Sequence, residues 1–154
     1  MNSKQLDKRK KHFTASALII KNDQVLLVYH NKLKVWLYPG GHIEDNENPD
    51  ETIIREVAEE TGLEIEIISD RDENLSDQKK EVSSLHLPYA ILCELVGDHF
   101  HNDLIYLCRV RGESKLKYNP RESGNIGFFT WPEIEKMELF DNFRVLLKKI
   151  LTEQ

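Results

Sequence analysis

A capped helix constrains this chain more than any other stretch of its sequence. Asn48 is a favoured N-cap residue, Pro49 suits the first helical position, and Glu51 stands where a capping-box acid reaches back to the cap. Gly62 can adopt the left-handed conformation that commonly follows a helix. The pattern therefore predicts a helix over Pro49–Thr61.

The predicted helix carries apolar and acidic residues on different sides. An inward stripe at spacings of three and four is formed by Ile53, Ile54, Val57 and Ala58. The flank and the opposite side carry Glu56, Glu59 and Glu60, whose carboxylates can converge on one volume. Converging carboxylates repel one another unless a cation such as Mg²⁺ lies between them. A solvated acidic face is the simpler interpretation of the three glutamates taken alone.

Acidic side chains are concentrated around this helix. Residues 44–60 hold eight acids and one base, Arg55, so this segment carries a charge of −7 within a total of −6, and the rest of the chain carries +1. A nucleic-acid groove needs the opposite sign, which argues against nucleic acid as a partner. Acids gathered in one short segment suit a bound hard cation.

Length and composition indicate one globular domain in the cytoplasm. The 154 residues contain no apolar run near the roughly 18 residues that cross a bilayer, so no membrane contact is expected. Residues 1–11 are polar and basic and are predicted to be a flexible lead-in to a domain at residues 12–154. Cys93 and Cys108 lie in apolar segments and are predicted to be buried free thiols.

Hydrophobic periodicity predicts strands around the helix. Residues 12–20 and 25–29 flank a polar turn and predict a β-hairpin. Further strands are predicted at residues 35–38, 65–68, 85–96, 104–110 and 126–130. The order of strands and helices predicts an α/β sandwich. Trp36 and Trp131 are expected in its core or in the wall of a site.

Three connections are predicted to be loops. Residues 39–41, Pro-Gly-Gly, predict a loop at which something approaches the backbone closely. Residues 69–84 are charged and almost without apolar residues, which is typical of a long mobile loop. Residues 97–103 are predicted to connect two strands.

The C-terminal part is predicted to hold two helices. Thr130 and Glu133 match a capping box for a short one. Asp141 or Asn142 is a candidate cap for the last one. The side chains of that helix expected to face inward are Val145, Leu146, Leu147 and Ile150.

A longer pattern overlaps the first helix. It runs from Gly41 through five residues to Glu47 and through seven more to Arg55, and continues as Arg-Glu-Val-Ala-Glu-Glu-Thr-Gly-Leu to Leu63. These residues resemble the Nudix box, and every fixed position of that signature is filled. Trp36, residues 39–40 and Trp131 also look like this family, so the resemblance covers most of residues 12–151. It implies the Nudix fold, an α/β/α sandwich around a central mixed β-sheet.

The resemblance to Nudix (MutT-like) hydrolases also implies an activity and a metal, Mg²⁺ or in its place Mn²⁺. Metal-activated water would hydrolyse a phosphoanhydride bond in a nucleoside diphosphate linked to another group. The implied metal ligands are Glu56, Glu59, Glu60, the Gly40 carbonyl and Glu122. Arg55 and Glu47 are implied to orient those carboxylates, and the catalytic base is Glu56 or Glu122.

Substrate and partners are less constrained by the pattern. Nucleoside triphosphates, ADP-ribose or other nucleotide sugars, and dinucleoside polyphosphates all fit the resemblance. A homodimer is possible. The alternative function is a nucleotide-sensing module that keeps the fold without turnover, although every acid of the box is present here.

Several residues outside the box are candidates for contact with the substrate. Gly40 and Gly41 are expected to let it approach the backbone. Asn142 either reads the base or ribose of the nucleotide or merely caps the last helix. His99, His101 and Asp103 form either a polar hairpin connection or a substrate or metal contact.

Overall fold

The computed structural model describes residues 7–117 and 125–153. The strands are β1 Lys11–Lys21, β2 Gln24–His30, β3 Val35–Leu37, β4 Gly40–His42, β5 Ile65–Ile67, β6 Ala90–Val96, β7 His99–Val110 and β8 Ile126–Phe129. The helices are α1 Pro49–Thr61, α2 Trp131–Ile134 and α3 Asp141–Thr152, with 3₁₀ turns at Glu73–Leu75 and Gln78–Lys80. Part of the predicted N-terminal lead-in, residues 1–6, lies outside the described residues.

The strands form one mixed sheet that is organised around β1 and β7. These two strands run parallel over nine residue pairs, from Lys11 with Phe100 to Ile19 with Cys108. The antiparallel strand β4 pairs with the first half of β1, whereas β2 pairs with its end. The far side of β7 pairs antiparallel with both β5 and β6, and β2 pairs with β3 and β8.

Helices cover both faces of this sheet. On one face, α1 packs Ile53 and Val57 against Ala15 and Tyr106 of the two central strands. On the other face, α2 and α3 pack against a second core, whose buried members include Leu18, Ile105, Ile134, Phe143 and Leu147. Neighbouring residues of a strand point to opposite faces, so β1 and β7 supply both cores. The predicted α/β/α sandwich with a mixed sheet is confirmed.

Helix α1 has the predicted bounds and caps. The Asn48 side chain accepts a hydrogen bond from the Glu51 backbone, and the Glu51 side chain accepts one from the Asn48 backbone. Gly62 ends the helix with a φ of 79°. The predicted apolar stripe was partly wrong, because Ile54 and Ala58 are exposed and Thr52 and Thr61 are buried beside Ile53 and Val57.

The predicted β1–β2 hairpin is confirmed, and its turn is Asn22–Asp23. Both residues have positive φ, 51° and 60°, as tight turns between twisted strands require. The predicted connection over residues 97–103 was too long. Gly97, with a φ of 68°, and Asp98 alone link β6 to β7, and Val96 pairs with His99. His99, His101 and Asp103 therefore lie in a strand, because pairing with β1 and β6 extends β7.

Two other predictions needed correction. Only Pro39 of the predicted loop 39–41 lies outside a strand, since Gly40 and Gly41 begin β4 and pair with β1. Cys108 is buried as predicted but Cys93 is exposed, because β6 lies at the edge of the sheet. Both cysteines are free, and burial raises the pKa of the Cys108 thiol to about 12.

The segment of residues 69–84 has more local order than its composition predicted. It contains the two 3₁₀ turns and an isolated bridge between Asp77 and Val82. The following His86 donates from its backbone and places its Nδ1 2.8 Å from the Asp50 carboxylate at the start of α1. The mobility of residues 69–84 stays a prediction. Across residues 7–117 and 125–153, none of the helices combines the length and apolar character that a membrane span needs.

Candidate active site

Arg55 gathers three carboxylates at the exposed side of α1. Its Nε lies 2.5 Å from Glu47 Oε2, and its Nη2 lies 2.9 Å from Glu47 Oε1. Its Nη1 donates to Glu56 Oε1 at 3.0 Å and to Glu59 Oε2 at 3.3 Å. The planar guanidinium with its fixed fork of donors suits such a network. The Arg55 guanidinium thus joins Glu47, eight positions earlier in the sequence, to Glu56 and Glu59 of α1.

Glu47 is held firmly as the far end of this network. Besides Arg55, its Oε1 accepts hydrogen bonds from the Thr52 hydroxyl at 3.0 Å and from the Glu44 backbone at 3.3 Å. The hydrogen bonds from Arg55 lower the pKa of Glu47 from its ordinary value to about 2. The same contacts raise the pKa of Arg55. Glu47 is therefore an anchor that aims Arg55 at the other two glutamates.

The two glycines of β4 permit close approach from both faces of the sheet. A Cβ on Gly41 would collide with the Glu56 carboxylate, and a Cβ on Gly40 would lie 2.7 Å from Ser16 Oγ and 2.8 Å from Ser16 Cα. Close backbone approach at this position is what the glycine pair predicted. The glycines place the Glu56 carboxylate directly against the strand.

The remaining predicted ligands differ in what the structure shows of them. Glu60 is half-buried on α1, one residue after Glu59. Glu122 lies outside the described residues. The metal-ligand role of Glu60 and the role of Glu122 as a ligand or base therefore stay predictions. The structure does bring together Glu47, Arg55, Glu56, Glu59 and Gly41, as the Nudix-box pattern implied.

A second polar cluster lies on the opposite face of the sheet, under α3. Asp103 is buried, with 4% exposure. Its Oδ1 accepts hydrogen bonds from Thr14 Oγ1 at 2.9 Å and Ser16 Oγ at 2.8 Å, and its Oδ2 accepts one from the Tyr38 hydroxyl at 2.9 Å. We call Asp103 with these three donors the Asp103 cluster. Its partners hold Asp103 in place, and direct contact with a substrate stays a prediction.

Glu94 of β6 extends the Asp103 cluster towards α3. Glu94 is half-buried and lies two residues along β6 from Leu92, the pairing partner of Asp103, so its side chain is on the same face of the sheet as Asp103. Burial, followed by the nearby Asp103 charge, raises the pKa of Glu94. Burial and the same charge raise the pKa of Tyr38. Glu94 is a candidate site residue that the sequence pattern missed, because its neighbours come from segments remote in sequence.

Family and structural comparisons agree with this geometry. The family model described as the NUDIX domain matches residues 10–152, which is nearly the whole chain. This chain belongs to the NUDIX family. The matched region contains both the Arg55 network and the Asp103 cluster.

Two relatives of this NUDIX chain are a pyrophosphohydrolase and a diphosphatase by name. A probable DHNTP pyrophosphohydrolase of Lactococcus lactis is 38% identical over 91 residues, which is 53% of each protein. An 8-oxo-dGTP diphosphatase of Proteus vulgaris is 35% identical over 65 residues, which is 39% of this chain and 57% of that protein. The matched regions thus span only a little more than half of each relative.

A solved structure extends the likeness over almost the whole NUDIX domain. A NUDIX-family hydrolase from Clostridium perfringens is 30% identical, with a TM-score of 0.79, and the match covers 91% of this chain and 95% of that one. A MutT NUDIX hydrolase from Burkholderia pseudomallei has a TM-score of 0.68 at 17% identity, which supports the fold alone.

Asn142 does not cap helix α3 of the NUDIX domain. The N-cap is Phe140, without a side-chain hydrogen bond to the helix, and Asn142 is the second residue of α3. The capping alternative for Asn142, and equally for Asp141 at the first position, was therefore wrong. The Asn142 side chain instead lies near enough to the Glu94 carboxyl to oppose the rise in its pKa. Trp36 and Trp131 are partly buried against the core under α3, as expected.

Proposed function

We propose that this NUDIX-family chain is a divalent-metal-dependent pyrophosphohydrolase. Its substrate would be a nucleoside diphosphate linked to another group, and water would cleave the phosphoanhydride to a nucleoside monophosphate and the remaining phosphorylated fragment. The observation that carries this proposal is the convergence of Glu47, Glu56 and Glu59 on Arg55 beside Gly41. Clustered carboxylates next to a glycine-lined strand suit a metal and an anionic substrate together.

The donor set at α1 fits Mg²⁺ or Mn²⁺. All of the proposed ligands are oxygen atoms, which these hard cations prefer. We propose that Glu56, Glu59, Glu60 and the Gly40 carbonyl hold the metal, with Glu122 as a further ligand. A bound metal would neutralise phosphate charge and lower the pKa of an attacking water.

The other residues of the box would position the ligands. Arg55 donates to Glu56 and Glu59 through a single nitrogen, so it sets the separation of their carboxylates. Glu47 keeps Arg55 in that orientation through two hydrogen bonds. The catalytic base, which takes the proton of the attacking water, would be Glu56 or Glu122.

We further propose a nucleoside triphosphate as the substrate, with its base near Glu94 and Asn142. The names of the two relatives, a DHNTP pyrophosphohydrolase and an 8-oxo-dGTP diphosphatase, support a triphosphate. A carboxylate accepts hydrogen bonds and an amide both donates and accepts, so this pair suits a guanine-type edge with adjacent N–H groups. The buried Asp103 would hold the Glu94 carboxyl in place.

The test is a phosphate-release screen of the full chain with Mg²⁺ or Mn²⁺. Guanine and adenine nucleoside triphosphates, ADP-ribose, other nucleotide sugars and dinucleoside polyphosphates would be compared. We expect turnover of at least one triphosphate, a preference for guanine over adenine, and loss of turnover in excess chelator. Full activity in chelator would contradict the metal mechanism. Binding of a nucleotide without turnover of any substrate would support the sensing module instead.

Charge removal at the box tests the ligand assignment. Glu59→Gln and Glu60→Gln keep the size of each side chain and remove one charge, so turnover should fall by at least about two orders of magnitude. Glu64→Gln, an exposed glutamate after the helix, is the matched control and should retain turnover. Near-normal turnover of either box variant, with a wild-type melting temperature, would show that the assigned residue is not a ligand.

The proposed localisation and assembly need separate measurements. We propose that the chain acts in the cytoplasm, where the free thiols Cys93 and Cys108 would stay reduced. Fractionation of the source cells tests the location. We also retain the predicted homodimer as a proposal, which analytical ultracentrifugation tests directly. A single species with the mass of one 18.1 kDa chain over a wide concentration range would contradict it.

A further inference from the structure

Four of the six histidines of this chain lie close together at one end of the central strands, outside the Nudix box. His12 lies near the start of β1, His42 ends β4, and His99 and His101 lie at the start of β7. His12 pairs with His101 in the parallel register, and His42 pairs with Thr14, two residues along β1 from His12. The two-residue period of a strand therefore places all four on the α3 side of the sheet.

Three of these imidazoles have the spacing of a metal site. One ring nitrogen from each of His12, His42 and His101 lies within 4.8 Å of the other two. The ring centroids are 5.4 Å apart for His12 and His42, and 5.0 Å apart for His42 and His101. A zinc-bound nitrogen lies about 2.0–2.1 Å from the ion, so small side-chain rotations would let all three reach one ion.

Imidazoles bind metals in their neutral form. The neighbours of the three rings include a fourth imidazole, that of His99. His99 Nε2 lies 3.1 Å from His101 Nε2, and His99 Nδ1 lies 3.0 Å from the Asp98 carboxylate. A carboxylate behind a histidine is a common arrangement next to metal ligands. His42 is exposed, so an ion can enter from solvent.

We propose that His12, His42 and His101 form a binding site for a transition-metal ion such as Zn²⁺, separate from the carboxylate site on α1. Imidazole ligands favour Zn²⁺, Ni²⁺ or Cu²⁺, whereas the oxygen ligands of the box favour Mg²⁺. The two sites lie on opposite faces of β4, because the side chain of His42 points to the α3 side and the backbone of Gly41 meets Glu56 on the α1 side.

Such an ion would tie three strands together. β1, β4 and β7 each contribute one ligand, and β4 has only three residues and pairs only with β1 among the strands described. Cross-linking β4 to β7 through the ion would therefore stabilise the strand that carries both glycines of the active site. Binding to the folded state alone should raise the melting temperature with metal concentration.

The experiment is a Zn²⁺ titration of the untagged full chain in excess Mg²⁺, which keeps the box carboxylates occupied. Calorimetry should give one Zn²⁺ per chain, and NMR of the imidazole nitrogens should show shifts at His12, His42 and His101. The remote residue His30 should not shift. Co²⁺ in place of Zn²⁺ should give the visible absorption of a nitrogen-ligated ion.

Glutamine variants identify the ligands. His12→Gln, His42→Gln and His101→Gln should each weaken Zn²⁺ binding by at least about tenfold, since even partners behind a ligand contribute about 10–100-fold. His30→Gln is the matched control and should bind as the wild type. If a cluster variant fails to fold, the NMR titration of the wild-type chain still decides. Absence of one-to-one binding, or unchanged affinity in all three folded variants, would overturn the proposal.

Discussion

Glu94 shows how a single side chain acquires its properties from distant parts of the chain. It lies in β6, yet its pKa depends on Asp103 of β7 and Asn142 of α3. Burial is the largest cause of the raised pKa, and the neighbouring Asp103 charge adds to it, because two nearby carboxylates resist ionising together. Over the pH range just above the ordinary pKa, the folded protein therefore binds a proton at Glu94 more tightly than the unfolded chain does.

This proton gives stability a predictable pH dependence. The contribution of Glu94 is fully present below its ordinary pKa of 4.5 and is lost as the pH rises through the higher folded value. Glu94→Gln imitates the protonated acid, so its melting temperature should fall less than that of the wild type as the pH rises from about 4.5 towards neutrality. Thermal denaturation over a pH series measures this, with Glu64→Gln as the control. Parallel profiles for wild type and Glu94→Gln would contradict the buried pair.

Strand β4 lies between the Arg55 network on one face of the sheet and the Asp103 cluster on the other. Its Gly41 lies against the Glu56 carboxylate and has no space for a side chain, and its Gly40 lies against Ser16 of β1. A methyl group there must displace Glu56, the strand or both. Small displacements of catalytic groups cost rate more than they cost stability.

Gly41→Ala should therefore lower kcat by at least about tenfold. Gly97→Ala serves as the comparison, because its Cβ would meet nothing within 4 Å although its positive φ disfavours a side chain. That variant should lose about 1 kcal/mol of stability while keeping turnover. Steady-state kinetics and urea denaturation measure both effects. Wild-type kcat in Gly41→Ala would mean that Glu56 does not need its observed position.

Helix α3 carries the second element-level prediction. Asn142→Ala removes no cap, since Phe140 is the N-cap, so the free energy of unfolding should change by less than about 0.5 kcal/mol. If Asn142 and Glu94 read the base, KM should rise and the preference among nucleotides should change. Asp141→Ala is the control, which should lose about 0.5 kcal/mol of helix-dipole stabilisation with the same preference. Unchanged KM values for all nucleotides in Asn142→Ala would remove Asn142 from the site.

The two cores of the whole molecule are covered by different helices, α1 on one face of the sheet and α2 with α3 on the other. Loss of packing under α3 should therefore destabilise the sheet even though α1 still covers its other face. Leu147 is fully buried in that core, whereas Val145, two residues earlier, is 70% exposed although the sequence predicted it to face inward. Comparing substitutions of Leu147 and Val145 therefore separates the effect of burial from the effect of hydrophobicity alone.

Leu147→Ala should reduce the free energy of unfolding by about 3 kcal/mol through lost contacts and a cavity. Val145→Ala should change it by less than about 0.5 kcal/mol. Urea denaturation with unchanged slopes would measure both values. Equal losses for the two variants would show that α3 is rotated relative to the arrangement described here.

Local patterns in the sequence were sufficient for α1 and for the grouping of its glutamates on one helix. The capping box of Asn48 and Glu51 joins residues three positions apart, and the glutamates of the box share one helix. The β1–β2 hairpin likewise follows from a two-residue turn between apolar segments. Such features arise from interactions between near neighbours, so neighbouring residues suffice to predict them.

Other features depend on pairing between segments far apart in the chain. Gly40 and Gly41 form a strand because β1 lies beside them, and β7 is extended because β1 pairs along it. The Asp103 cluster and the convergence of His12, His42 and His101 likewise require the register of β1 with β4 and β7. Register is set by the packing of the entire sheet, since a shift of one residue turns every side chain to the other face. Tertiary structure alone therefore brought these side chains together. The local sequence marked His101 and Asp103 as candidates for a contact but did not predict their partners in β1 and β4.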